Sequence, residues 1–129
     1  MLLKQIMKRD PITASDTDSL GDAYRKMIAA RSRHLPVIRD GKLVGILTER
    51  DILEFRAKRD IDEDWWRATA SAAMHAPAQT AGPDDSLTEA AGRMAASKLG
   101  ALPIVDLGKL VGIVTVTDVL AAEVEAAMH

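Results

Sequence analysis

Two periodicities alternate along this 129-residue chain. Apolar residues recur at Leu20, Ala23, Met27 and Ile28, and again at Leu87, Ala90, Ala91 and Met94. Such three- and four-residue steps predict two helices, each burying one face. Short runs rich in Val, Ile and Leu follow each helix, at 35–38 and 43–47 and at 102–105 and 110–114, and their length predicts strands. Asp40-Gly41, between the first two runs, suits a tight hairpin because glycine accepts positive φ. Helix starts are marked as well. Ser19 with Asp22 and Ser86 with Glu89 fit the S-x-x-[DE] capping pattern, and Thr48-Glu-Arg-Asp51 and Thr115-Val-Thr-Asp118 repeat it with threonine, so a further helix is expected after each hairpin. Gly100 is expected to help end the second apolar-faced helix.

The same order occurs twice because the sequence is itself repeated. Leu35-Pro36-Val37-Ile38 returns as Leu102-Pro103-Ile104-Val105, and Gly41-Lys-Leu-Val-Gly45-Ile-Leu-Thr48 returns as Gly108-Lys-Leu-Val-Gly112-Ile-Val-Thr115. Matched residues lie 67 positions apart throughout, from Asp18 and Asp85 to Asp51 and Asp118. A gapless register of that extent means two copies of one fold unit. The expected class is α+β (of α/β type), with two β-α-β-β-α units. Repeat 1 spans 1–58, a connecting helix or linker 59–72, and repeat 2 73–129. A unit of roughly 50 residues buries too little surface to be comfortably stable alone. The copies are therefore expected to pack sheet against sheet about a pseudo-two-fold axis, with the clefts between them as natural ligand sites.

Composition narrows the function. Hydrophobic residues make up 47% and charged residues 28% of the chain, enough for a real core in a soluble globular protein. A formal net charge of -2 argues against a nucleic-acid binder, which needs a clustered cationic face. Arg56, Lys58 and Arg59 form the one modest basic group and read as a solvated helix end. The absence of cysteine excludes disulfides, thiolate nucleophiles and cysteine-type zinc sites. His75 and His129 have no partner at metal-ligand spacing, so no metal is expected. No apolar run approaches the ~20 residues that span a bilayer, and the first residues lack the pattern of a signal peptide; a cytoplasmic setting without membrane contact is expected. No glycine-rich phosphate loop follows a strand and no Ser-His-Asp order stands out. The chain is therefore not expected to be an enzyme, to carry catalytic residues or to hold a prosthetic group.

Taken in order, the Met7-Lys8 lead-in, Asp18-Ser19-Leu20, Leu35-Pro36-Val37-Ile38 and Gly45-Ile-Leu-Thr48-Glu-Arg-Asp51-Ile-Leu resemble the cystathionine-β-synthase (CBS) domain family. The resemblance covers about residues 2–120 and implies a tandem pair, often called a Bateman module. Proteins of this kind bind AMP, ADP, ATP, S-adenosylmethionine, NAD-type molecules or cyclic dinucleotides in up to two clefts per pair. They often regulate an attached or partner protein, and isolated pairs commonly form homodimers. The resemblance implies Asp51 and Asp118 as acceptors for ribose hydroxyls, and Thr48 and Thr115 as donors to a ribose or phosphate oxygen near the positive end of a helix. It sets adenine against Met7, Ile12 and Pro36 in copy one and against Met74, Gln79 and Pro103 in copy two. Phosphate would fall to Arg33 and His34. Copy two has Gly100-Ala101 at those positions and supplies no such side chains, so its cleft is expected to be weaker, empty or filled by something less anionic.

Each of these residues also has a plainer reading. Thr-x-x-Asp caps many helices that bind nothing. Arg33 suits a surface turn, and His34 a partly exposed strand end. Trp65 and Trp66, beside the acidic run at 60–64, suit core or interface anchors better than base stacking. Met7, Met27, Met74 and Met94 suit core filling. Two functions follow. One is a sensor for an adenosine-containing ligand, an adenine nucleotide above all, that modulates an unknown regulated protein. The other is a constitutive dimerisation or interaction module with vestigial clefts.

Overall fold

A computed structural model describes residues 1–58 and 63–129. In chain order the elements are β1 (Lys8–Arg9), β2 (Ala14–Ser15), α1 (Leu20–Ala30), β3 (His34–Arg39), β4 (Lys42–Thr48), α2 (Glu49–Ala57), α3 (Ala70–Ala73), α4 (Leu87–Ser97), β5 (Ala101–Asp106), β6 (Lys109–Thr115) and α5 (Val116–Ala127). Short 3-10 turns occupy Leu3–Gln5 and Trp65–Arg67. The helix–hairpin–helix order occurs twice in a mixed helix-and-sheet chain, as the repeat predicts. The connecting helix expected over 59–72 falls partly on 59–62, which lie outside the described residues together with Asp60 and Asp62 of the acidic run. From residue 63 onward the chain makes the Trp65–Arg67 turn and then enters α3.

The compact units do not follow the repeat boundaries. One is Ile12–Ala78, and the other joins Met1–Pro11 to Gln79–His129. The two divisions differ because each copy's lead-in bonds to the sheet of the other copy. Residues ahead of copy one form β1, which runs antiparallel to β6 with Lys8 opposite Ile113 and Arg9 opposite Gly112. Residues ahead of copy two do the same against β4, where His75 bridges Ile46 through N–H···O bonds of 2.9 and 3.0 Å.

In the Ile12–Ala78 unit the sheet order is β2-β3-β4, with β2 parallel to β3. Leu35, Val37 and Leu47 on that sheet pack with Leu20, Ala23 and Met27 of α1, Ile52 of α2 and Ala70 of α3. Trp65 lies against the same cluster, whereas Trp66 is 42% exposed. Ile28 departs from the predicted helical stripe and is 60% exposed. It directly follows Met27, and a hundred-degree step carries it off the buried face.

The other unit repeats this plan with the sheet order β1-β6-β5. Leu102, Ile104 and Val114 pack with Leu87, Ala90 and Met94 of α4, Val119 of α5 and Leu3 from the first turn. Polar ties repeat as well. Lys26 Nζ donates to Thr13 O at 3.1 Å, and Arg93, 67 residues on, donates to Thr80 O at 2.8 Å. Asp18 accepts from Lys26 and from Ser15 N, both at 2.9 Å. Burial acts to raise the Asp18 pKa, but these hydrogen bonds outweigh it and hold the carboxyl below its ordinary range.

Ser19 caps α1 by accepting from Asp22 N at 3.0 Å, and Ser86 caps α4 by accepting from Glu89 N at 3.2 Å. Both helices end on a left-handed residue, Arg31 with φ 52° and Lys98 with φ 53°. Gly100, expected to help end α4, instead lies two residues beyond that cap, where its carbonyl accepts from Val116 N at 3.1 Å. The two hairpins share one turn, with positive φ at Asp40 and Gly41 and again at Leu107 and Gly108. Leucine is poorly suited to the left-handed region, and Leu107 is 96% exposed, so packing returns little. Leu107→Asp, which copies the residue at 40, is expected to raise stability by about 1 kcal/mol, read as a higher urea midpoint. Among the described residues no helix is long and apolar enough to cross a membrane.

Candidate functional site

β4 runs directly into α2, so Thr48 is both the last residue of a strand and the N-cap of a helix. Its Oγ1 accepts from Asp51 N at 3.0 Å, and its own N–H donates to Asp51 Oδ2 at 2.9 Å. This reciprocal cap uses one oxygen of the carboxylate. The other, Oδ1, lies 2.8 Å from Nδ1 of His75. The Asp51 side chain is only 3% exposed and that of His75 is 70% exposed, so a largely exposed imidazole touches a buried carboxylate. Its backbone bridge to Ile46 places it there. Ile46 in turn is the partner of Pro36, so Pro36, Ile46 and His75 form one row across three neighbouring segments.

Arg33 and His34 lie beside the same helix start. His34 is opposite Thr48 in the β3–β4 ladder, and Arg33 O accepts from Glu49 N at 3.0 Å. Burial first, and then the charge of Arg33, lower the His34 pKa from its ordinary value, against opposing pulls from Asp51 and Glu49. The imidazole is thus held toward its neutral form. An open groove of about 350 Å³ adjoins Asp51 and His75, bordered also by Glu54, Phe55 and Lys58. That volume is at the lower end of the range for small-molecule sites.

The second unit builds the equivalent arrangement. Asp118 Oδ2 accepts from Thr115 N at 2.9 Å, and Thr115 Oγ1 accepts from Asp118 N at 3.3 Å. Here Oδ1 faces Lys8 Nζ at 3.8 Å, and the Asp118 side chain is 17% exposed. Pro103, Ile113 and Lys8 form the corresponding row. Ala101 is opposite Thr115 and Gly100 O accepts at the start of α5, so those two positions contribute backbone where copy one has Arg33 and His34.

The grouping of site residues by copy needs one correction. Met74 lies with Thr48 and Asp51, its sulfur against Gly45, and Met7 lies with Thr115 and Asp118, its sulfur against Gly112. The lead-in exchange causes this reversal. Arg33, His34 and Pro36 remain with Thr48 and Asp51, and Pro103 remains with Thr115 and Asp118. Ile12 is 50% exposed, two residues before β2, and Gln79 is exposed, two residues before the bridge of Ala81 to Ile104.

Two residues that face the carboxylates escaped the sequence reading, Lys8 and His75. They are 67 positions apart and each directly follows a lead-in methionine, a signal that could have marked them as equivalent. Among the described residues no group of three or more His, Cys, Asp or Glu side chains could hold a metal ion. Chemically, each arrangement presents a carboxylate oxygen at the positive end of a helix, fixed by the cap and able to accept hydrogen bonds from hydroxyl groups.

The CBS domain family matches residues 3–58 and 70–125. The chain is 34% identical over 122 residues to an L-aspartate semialdehyde sulfurtransferase of Methanocaldococcus jannaschii, covering 92% of this chain and 22% of that protein. It is 37% identical over 116 residues to an inosine-5'-monophosphate dehydrogenase of Korarchaeum cryptofilum, covering 89% of this chain and 23% of that protein. It therefore spans less than a quarter of either enzyme. Among solved structures, the CBS domain pair of protein MJ0100 in complex with 5'-methylthioadenosine and S-adenosyl-L-methionine superposes with a TM-score of 0.85 at 30% identity, over 100% of this chain and 98% of that one. With both repeats matched and the fold shared along the full length, the chain belongs to the CBS domain family and comprises two CBS domains in tandem.

Proposed function

We propose that this protein binds a small molecule containing adenosine through Asp51 and Asp118 and passes the bound state to another protein. The observation that carries the reading is the doubled cap, in which each helix start takes one oxygen of its aspartate and leaves the other for a partner. A ribose diol has the donors to meet that oxygen. The MJ0100 pair, alike in fold over its whole length, is bound to two adenosine compounds, which supports the same ligand class here. AMP, ADP, ATP and NAD remain within it, with Arg33, next to the start of α2, and Lys8, near Asp118, as the candidate cations for a phosphate. The role is regulatory rather than catalytic: the polar groups gathered at each carboxylate bind and orient, and none forms a nucleophile–base pair. A cytoplasmic setting fits this reading.

A second reading, a constitutive interaction module, is favoured by one feature of α5. Val116, Leu120, Val124 and Met128 are spaced four apart and are 41%, 57%, 51% and 78% exposed. A second copy of the chain could cover such a stripe.

Calorimetric titration with 5'-methylthioadenosine, S-adenosylmethionine, AMP, ATP and NAD separates the two readings. Micromolar binding by at least one ligand is expected. Asp51→Ala and Asp118→Ala should each weaken their own site about ten- to a hundredfold, the cost of a lost charge-assisted hydrogen bond. A folded protein that gives no heat with any of the five would support the interaction module.

A further inference from the structure

The two carboxylates are built alike but guarded differently. At equivalent positions, Asp118 faces Lys8 and Asp51 faces His75. Lys8 stays 3.8 Å away with its side chain 68% exposed, too far for a hydrogen bond, and leaves Asp118 17% exposed. His75 makes a 2.8 Å contact and leaves Asp51 only 3% exposed. With Oδ2 held by Thr48 N and Oδ1 in contact with the imidazole, a ligand hydroxyl must compete with His75 for Asp51. His75 itself is 70% exposed and can swing outward without opening the core.

We propose that His75 is a specificity-determining residue of the Thr48–Asp51 site: it occupies the ribose acceptor in the free protein, must be displaced by the ligand, and so makes affinity there fall as the pH falls. The inference rests on the adenosine reading above and adds what sets that site apart from its twin. An imidazole gains its proton within the physiological range, whereas a lysine stays charged across it. A cationic imidazole adds charge–charge attraction to the contact with the Asp51 carboxylate. Other charged groups face the same place. Glu54 and Lys58 of α2 border the groove with His75, whereas Ile46 of β4 and Ala72 of α3 bring no titratable side chain. On the β3 side, Arg33 and His34 adjoin the helix start, with Glu49 at its first position, and His34 senses the charge of Asp51.

The test uses 5'-methylthioadenosine, which has no phosphate to titrate near pH 6. Affinity is measured calorimetrically from pH 5.5 to 8 in the Asp118→Ala protein, where only the Thr48–Asp51 site remains. Binding is expected to weaken toward pH 5.5, where the ligand must break a stronger contact to reach Asp51. Adding His75→Ala should raise affinity at every pH and flatten the profile, while adding His34→Gln should leave the slope in place. Measurable binding with a flat profile overturns this inference and leaves the adenosine reading intact. So does a slope that survives His75→Ala, or one that vanishes with His34→Gln. No binding at any pH, with or without His75→Ala, overturns the adenosine reading at Asp51 and this inference with it.

Discussion

Leu3→Ala is expected to destabilise the unit formed by Met1–Pro11 and Gln79–His129 by about 2–5 kcal/mol, the range for leucine truncated in a packed core. Leu3 is 0% exposed, in one cluster with Leu87, Met94, Leu102, Ile104, Val114 and Val119. Its backbone is held as firmly. Leu3 N donates to Asp85 O at 3.0 Å, Lys4 N to Pro83 O at 2.9 Å, and Leu87 N to Met1 O at 2.9 Å. The surroundings therefore cannot slide inward to fill the hole, and cavity cost adds to lost transfer energy. Urea unfolding should show a lower midpoint, and amide exchange should quicken in α4, β5 and β6. The same truncation at Leu53, which is 59% exposed, should cost under 1 kcal/mol. A small effect at Leu3 would mean that the first eleven residues are not part of that core. The equivalent position in the other copy is Ala70, also 0% exposed. There Trp65 and Phe55 border the cluster.

That exchange marks the limit of what the sequence could convey. The repeat, the hairpins and the threonine caps were legible because each depends on residues close in the chain. Thr48 meets Asp51 and Thr115 meets Asp118 within one helical turn, and Asp40-Gly41 turns within its own dipeptide. A constant 67-residue offset identifies Met7 with Met74 as equivalents, but equivalence says nothing about which sheet each joins. Both sheets offer the same Gly-Ile pair at 45–46 and 112–113, so local pattern cannot choose between them. Choice comes from long-range burial, such as that of Leu3 against Leu102 and Ile104. His75 was hidden for the same reason: its carboxylate partner is 24 positions away, and no spacing rule relates them. Lys98 and Arg31 in the left-handed region were missed because glycine is the usual residue there, and Gly100 stood near enough to attract the assignment.

The row of Pro36, Ile46 and His75 depends on a glycine, and its replacement is expected to be costly for a steric reason. A Cβ on Gly45 would come 2.6 Å from Met74 Sδ and 2.7 Å from His75 O. On Gly112 it would come 2.6 Å from Met7 Sδ and 2.9 Å from Lys8 O. The methionine can rotate away, but the carbonyl cannot. His75 O accepts from Ile46 N at 3.0 Å while His75 N donates to Ile46 O at 2.9 Å, so retreat breaks the bridge that sets the imidazole over Asp51. Gly45→Ala should therefore destabilise its unit by about 1–3 kcal/mol, the usual cost of overpacking, and Gly112→Ala by somewhat less, given the longer carbonyl distance. Removing the flexible clash with Met74→Ala should restore only part of the loss, because the carbonyl remains. Gly92→Ala is the control. It lies within α4 with nothing inside 4 Å of an added Cβ, so the same change there should stabilise by about 0.5–1 kcal/mol through helix propensity. Opposite signs at 45 and 92 would assign the cost to close approach rather than to backbone freedom. Matching signs would remove the steric basis for the row, and with it the reason that His75 stands at the carboxylate.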